Sequence, residues 1–181
     1  MTSNPDLEQY RIDLRHNALY QAELSALYHR KRERFLALCD RAGKALALVA
    51  GTAAFSSILG TAEAKSYAGL VVGIATLPGL IFAWADKARL HSELAQKYIT
   101  LQSEIISVGE RDFTEEQCFS WQARLRSIEV NEPPTLTILV RICQNQIAMA
   151  AGQSDAAYKI SSTERFFAQI FDMQSSKLER I

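Results

Sequence analysis

The chain has no net charge and contains few of the residues around which small catalytic or metal sites are built. Its 20 Lys and Arg residues balance its 20 Asp and Glu residues, and it has only three histidines and three cysteines in 181 residues. A balanced chain has no overall positive field to attract nucleic acid. Overall charge therefore gives no indication of nucleic-acid binding.

The cysteine pattern argues against cross-linking. Cys39, Cys118 and Cys143 are odd in number and widely spaced, and they contain no C-x-x-C pair. Such spacing disfavours a disulfide framework or a structural zinc site and suits a reducing compartment. We expect buried or half-buried free thiols. Residues 1–40 carry charge throughout, so they do not resemble a cleaved signal peptide.

No motif for catalysis or cofactor binding is present. His16, His29 and His91 are far apart, and none belongs to an H-E-x-x-H pair. A nucleophile elbow, a glycine-rich phosphate loop and a Walker-type lysine are all missing. We predict that the protein is not an enzyme and has no catalytic residue, metal site or cofactor. A Cys–His dyad formed only in three dimensions stays open as an alternative.

Charge is almost absent from residues 45–85, where only Glu63 and Lys65 are ionic. The uncharged runs 45–62 and 66–85 would span about 27 and 30 Å as helices, close to the hydrocarbon thickness of a bilayer. They predict an all-α membrane protein: a two-helix transmembrane hairpin with N- and C-terminal cytoplasmic helices. The first run is rich in Ala, Gly, Ser and Thr, so a buried hairpin inside a soluble helical bundle is the alternative.

Positive charge flanks the hairpin and sets its predicted orientation. Only Lys65 lies in the turn, whereas the outer flanks hold the juxtamembrane basic residues Arg30, Lys31, Arg32, Arg34, Arg41, Lys44, Lys87 and Arg89. An excess of Lys and Arg marks the cytoplasmic side. We therefore predict a multi-pass protein of the cell inner membrane, in the lipid bilayer, with both termini cytoplasmic. Without an accompanying base-reading pattern, the basic cluster does not indicate nucleic acid as a partner.

This interpretation divides the chain into three parts. They are an N-terminal cytoplasmic helix over 1–44, the hairpin over 45–85 and a cytoplasmic helical region over 86–181. Small and hydroxyl-bearing residues recur in the hairpin, and they are the candidate pore or packing positions: Thr52, Ser56, Ser57, Gly69, Gly73 and Thr76. Two helices cannot enclose a pore, so a channel requires a homo-oligomer. Plain packing within the hairpin is the alternative.

The remaining helices follow from periodicity and local signals. An apolar pattern predicts a helix over 5–40, and a stripe at spacings of three and four follows the hairpin: Leu90, Leu94, Tyr98, Leu101 and Ile105. Thr114 and Gln117 form a capping-box pattern that opens a helix to about Val130. Prolines 133 and 134 end it, a further helix covers 136–150, and residues 162–164 open a last short helix.

Several strings follow one another in the order of the predicted elements: the segments 87–95, 121–124 and 132–134, then Cys143, Asn145 and Gly152. Together with the order of the elements, they resemble the SLATT family, the SMODS and SLOG-associating two-transmembrane effector domains of prokaryotes. The similarity covers roughly residues 15–171. The joint order of these strings is more specific than any one of them.

The resemblance implies an effector of a prokaryotic antiviral or conflict system, often beside a nucleotide-producing or nucleotide-sensing defence protein. Such an effector would oligomerise when triggered and form a pore or disrupt the inner membrane. The alternative is a non-conducting membrane anchor, an interaction module that recruits a cytosolic partner. An enzyme with a membrane tether comes last, because no catalytic set is present.

Overall fold

The computed structural model describes residues 5–57, 73–74, 77, 79 and 81–172, and these residues are mostly helical, without a β-strand. The predicted helical character is thereby confirmed. The elements in chain order are α1 (Pro5–Ser57), α2 (Trp84–Ser107), α3 (Glu115–Glu129), α4 (Thr137–Ala150), a 3₁₀ turn (Ser154–Ala156) and α5 (Ser162–Phe167).

The predicted membrane-protein fold class is wrong. In the described part of the chain, no helix combines the length and the apolar character that crossing a bilayer requires. Helix α1 is long, but charges run through most of it, and its last residues, 45–57, are mainly weakly apolar Ala, Gly, Ser and Thr. Absence of charge is therefore a weaker criterion than hydropathy. Residues 58–62 and most of 66–85 lie outside the described residues.

The predicted inner-membrane, multi-pass localisation with both termini cytoplasmic rested on those two spans and is corrected with them. The chain divides instead into two compact units. The first comprises Met1–Arg30 with Ser92–Ile181, and the second is Lys31–His91. The three-part division at residues 44 and 85 stays a prediction.

The main core of the first unit lies between helices α1, α2 and α3. The stripe on α2 is buried from Leu94 through Tyr98 and Leu101 to Ile105. It packs with a ridge of small residues on α1, formed by Ala18, Ala22 and Ala26. It also packs with an apolar face of α3, formed by Trp121, Leu125 and Ile128. Alanines four residues apart lie on one face of a helix, so the large α2 side chains can approach the α1 backbone closely.

A smaller core joins the C-terminal helices to α1. Tyr28 is buried there with Ile138, Leu139, Cys143 and Ala168. The tyrosine hydroxyl accepts a hydrogen bond of 3.0 Å from the backbone N–H of Leu136, just before α4. This contact matters because α4 begins without a side-chain cap, and its first N–H groups need acceptors.

Capping residues set the start of α3 and α5. Gln117 N–H donates to Thr114 Oγ1 over 3.2 Å, and Thr114 N–H donates to Gln117 Oε1 over 2.8 Å, which confirms the predicted capping box. A second box pairs Ser161 with Glu164, and α5 begins at Ser162 as predicted. Gly109, between α2 and α3, has a φ of 83°, which glycine adopts without steric cost.

The second unit contains a close approach within Lys31–His91. A Cβ atom at Gly43 would lie 3.3 Å from Cζ3 of Trp84, so the absence of a side chain there lets the indole ring lie near α1. The Phe82 and Trp84 rings stack with centroids 5.8 Å apart. Between them, Ala83 has a φ of 47°, a conformation that costs a non-glycine residue about 1–2 kcal/mol.

Removing the α3 cap should destabilise the protein measurably. We expect Thr114→Ala to lower the free energy of unfolding by about 1 kcal/mol, because one orphan N–H loses its acceptor. Thr100→Ala is the matched control, since Thr100 is exposed within α2 and its hydroxyl bonds only to the Gln96 carbonyl of its own helix. Urea unfolding followed by circular dichroism measures both variants. Equal stabilities would show that the box contributes nothing.

Candidate functional site

Of the predicted pore or packing positions, the structure describes Thr52, Ser56, Ser57 and Gly73. Thr52 is exposed on α1, and its hydroxyl donates to the Val49 carbonyl over 2.8 Å, a bond within one helical turn. Ser56 and Ser57 end α1, and Gly73 is helical. Gly69 and Thr76 lie outside the described residues. Their role stays a prediction.

The predicted juxtamembrane basic residues lie along two helices. Arg30, Lys31, Arg32, Arg34, Arg41 and Lys44 belong to α1, and Lys87 and Arg89 belong to α2. Lys44 pairs with Asp40 over 2.7 Å, one turn earlier. The Arg32 guanidinium lies 5.9 Å from the centroid of the Phe35 ring. Both of these contacts are local to α1.

A cleft in the first unit brings together arginines that the sequence gave no reason to connect. It has a volume of about 470 Å³ and lies between the first turns of α1 and the loop before α3. Its lining is mainly charged and includes Glu8, Arg11, Arg15, His16, Glu110, Arg111 and Phe113. We call it the arginine cleft. Its volume falls within the range of small-molecule sites, about 300–1,000 Å³.

Phe113 holds the two arginines of α1 in place. Its ring is buried, and the guanidinium carbons of Arg11 and Arg15 lie 5.1 and 5.7 Å from the ring centroid. Arg11 Nη2 also donates to the carbonyl oxygen of Phe113. Cation–π contacts of this kind stabilise each position by about 0.5–1 kcal/mol at partly exposed sites. The aromatic ring thus fixes two positive charges on one face of α1.

Two donors in this cleft lack partners. The Nε atoms of Arg11 and Arg15 are buried, and among the described residues neither has a hydrogen-bond acceptor. A buried N–H without an acceptor costs about 1–3 kcal/mol, so each such group in a folded protein needs an explanation.

A second cluster is centred on His29, whose side chain is buried, and its Glu132 carboxylate is only 15% exposed. His29 Nε2 lies 2.9 Å from Glu132 Oε1, its ring stacks on Tyr98 at 5.9 Å, and the edge of Tyr28 contacts it at 5.2 Å. Burial, followed by the neighbouring Glu132 carboxylate, raises the pKa of Tyr98, so its phenol stays neutral. His29 and Tyr98 are both 0% exposed, and we therefore assign this cluster to stability rather than catalysis.

Both clusters join residues that are far apart in the sequence, so no local motif could predict either of them. Glu132 follows His29 by 103 residues, and Phe113 follows Arg11 by 102. The sequence placed Glu132 at the end of a helix and in the 132–134 string of the family resemblance, and neither indicated a contact with His29. No group of histidine, cysteine, aspartate or glutamate side chains in the described residues could hold a metal ion.

An exposed apolar surface lies at the C-terminal end of the described chain. Phe166 is 74% exposed and Phe171 is 58% exposed, with Phe167 and Ile170 beside them. The Phe166 and Phe167 rings meet edge to face at 5.1 Å, and Phe167 and Phe171 are 6.0 Å apart. We call these four residues the aromatic patch.

No family model, curated protein or solved structure matches the chain. The SLATT resemblance is therefore neither supported nor opposed by comparison, and it stays a prediction.

Loss of the buried histidine should strongly destabilise the first unit. We expect His29→Ala to lower the free energy of unfolding by about 3 kcal/mol, because it leaves a cavity and removes a partner of Glu132. Glu132→Gln should cost less, since an amide still presents an acceptor to the ring. Thermal and urea unfolding of the full chain measure these effects.

The matched control is an exposed pair. Arg126 Nη1 lies 2.8 Å from Glu129 Oε2 on the surface of α3, and Arg126→Ala should change stability by less than about 0.5 kcal/mol. A His29→Ala protein as stable as Arg126→Ala would contradict the structural role of the buried cluster.

Proposed function

We propose that this chain is a self-associating helical interaction module, an effector of a prokaryotic defence or conflict system, and not an enzyme. The resemblance over residues 15–171 supports the defence role. The observation that carries the self-association is the aromatic patch. Pore formation requires the two predicted spans and forms no part of the proposal.

The patch is held on an ordered segment. The capping box of Ser161 and Glu164 starts α5, and Ala168 is buried in the smaller core. At the far end, Asp172 Oδ1 accepts a hydrogen bond of 3.0 Å from Thr137 N–H at the start of α4. Because contacts fix both ends of this segment, a partner that binds the exposed Phe166 and Phe171 would lose little further backbone entropy in ordering it. Pre-organised aromatic side chains are typical of the energetic centres of interfaces.

The occupant we propose is a second copy of this chain. The patch is bordered by charges of both signs, with Arg165 beside Phe166 and Glu164 and Asp172 on either side. Across a twofold axis the same surface meets itself, so a rim of mixed sign can pair with itself, whereas a rim of one sign would repel. The chain has no net charge to oppose association. A nucleotide-producing or nucleotide-sensing defence protein stays a predicted further partner.

Substitution in the patch should dissociate the assembly. We expect Phe166→Ser with Phe171→Ser to weaken self-association of the full chain at least about tenfold, or 1.4 kcal/mol. Light scattering after size-exclusion chromatography, over a range of protein concentrations, measures this. Phe119→Ser is the matched control, because Phe119 is a 49% exposed aromatic residue on α3 outside the patch.

The outcomes separate the hypotheses. A wild-type chain that is monomeric at every concentration, or a double variant that associates like wild type, would refute self-association through the patch.

For the defence role, plating efficiency of phage is measured on bacteria that carry the gene with its neighbours. Unchanged protection by the Phe166→Ser, Phe171→Ser protein would show that the patch does not serve that role.

A further inference from the structure

The arginine cleft brings three guanidinium groups to one space on the first unit. Arg11 and Arg15 are one helical turn apart, and like charges at this spacing destabilise a helix. Arg111 adds a third guanidinium from the loop, against the two carboxylates of Glu8 and Glu110. The cleft therefore has a surplus of positive charge that an anion would neutralise.

The two unpartnered donors, the buried Nε atoms of Arg11 and Arg15, belong to side chains that line this cleft. Arg11 uses one Nη atom on the Phe113 carbonyl, and the aromatic ring orients both guanidinium planes. A ligand oxygen that accepts from either Nε–H group would remove the desolvation penalty of that group, and its negative charge would offset the repulsion between the two guanidinium groups.

The chemistry of the donors selects the ligand class. A guanidinium presents its N–H groups in a planar fork that matches two oxygens of a phosphate or carboxylate group. The cleft offers several such forks around one space of about 470 Å³, which is larger than one oxyanion needs. A ligand with more than one anionic oxygen centre fits this arrangement better than an isolated ion.

We infer that the arginine cleft is a binding site for a small polyanion of the phosphate-ester type, held by Arg11, Arg15 and Arg111. This site is separate in sequence from the aromatic patch, and the inference does not depend on self-association. Phe113 is a positioning residue, because its ring lies against the guanidinium groups of Arg11 and Arg15. The anionic oxygens of the ligand, rather than its uncharged parts, would provide most of the binding energy.

Pyrophosphate is the probe that tests this site. Titration calorimetry on the full chain should show saturable binding, and Arg15→Ala should weaken it at least about tenfold. Arg111→Gln should weaken it too, and because Arg111 is exposed on a loop, this variant tests the cleft without burdening the core. Binding should also raise the melting temperature of the wild-type chain.

Two control variants test whether binding depends on the position of the charge and on the geometry of the guanidinium group. Arg126→Gln removes an equally charged but distant arginine, 80% exposed at its side chain, and should bind like wild type. Arg15→Lys keeps the charge but loses the fork and should bind more weakly than wild type. The inference is overturned if pyrophosphate gives neither heat nor thermal stabilisation at about 10 mM. It is equally overturned if Arg126→Gln weakens binding as much as Arg15→Ala, since that would mean diffuse charge attraction.

Discussion

The close packing of α2 on the alanine ridge of α1 is the contact on which the first unit depends. Leu94, Tyr98, Leu101 and Ile105 are all essentially inaccessible to solvent. Burying a side chain of this size stabilises a fold by about 1.5–3 kcal/mol. The ridge at Ala18, Ala22 and Ala26 makes that burial possible, because larger side chains would hold the helices apart. The packing on this ridge also positions the residues before and after it on α1, including the arginines of the first turns and the buried His29.

Local signals were sufficient to predict much of this framework. The period of the α2 stripe, the capping box at Thr114 and the two prolines after α3 each act over a few residues. Even here the limits are physical. Leu90 continues the period of the stripe but is exposed and belongs to the second unit, because periodicity indicates a face of a helix and not where its partner ends.

Contacts between distant residues could not be predicted from these signals. Nothing local to His29 or Glu132 distinguishes them from surface residues, and only the approach of α1 to the end of α3 brings them within 2.9 Å. The same holds for Phe113 and the arginines of α1. Over the described residues 45–57, the membrane interpretation failed for a different reason: it weighed the absence of charge, whereas transfer into lipid depends on the apolar area of each side chain. Alanine, glycine, serine and threonine supply little of that area.

Binding in the arginine cleft depends on electrostatic attraction, whereas association through the aromatic patch depends on the hydrophobic effect. The two processes can therefore be distinguished in solution by their response to salt. Attraction between guanidinium groups and an anion is screened as ionic strength rises, with a Debye length near 8 Å at physiological salt. Association through exposed phenylalanines is not screened, and excluded salts such as sulfate strengthen it. Sulfate is itself an oxyanion, so it would also compete in the cleft while favouring the patch. A binding event weakened by added sulfate therefore belongs to the arginines, and one strengthened by it belongs to the aromatic surface.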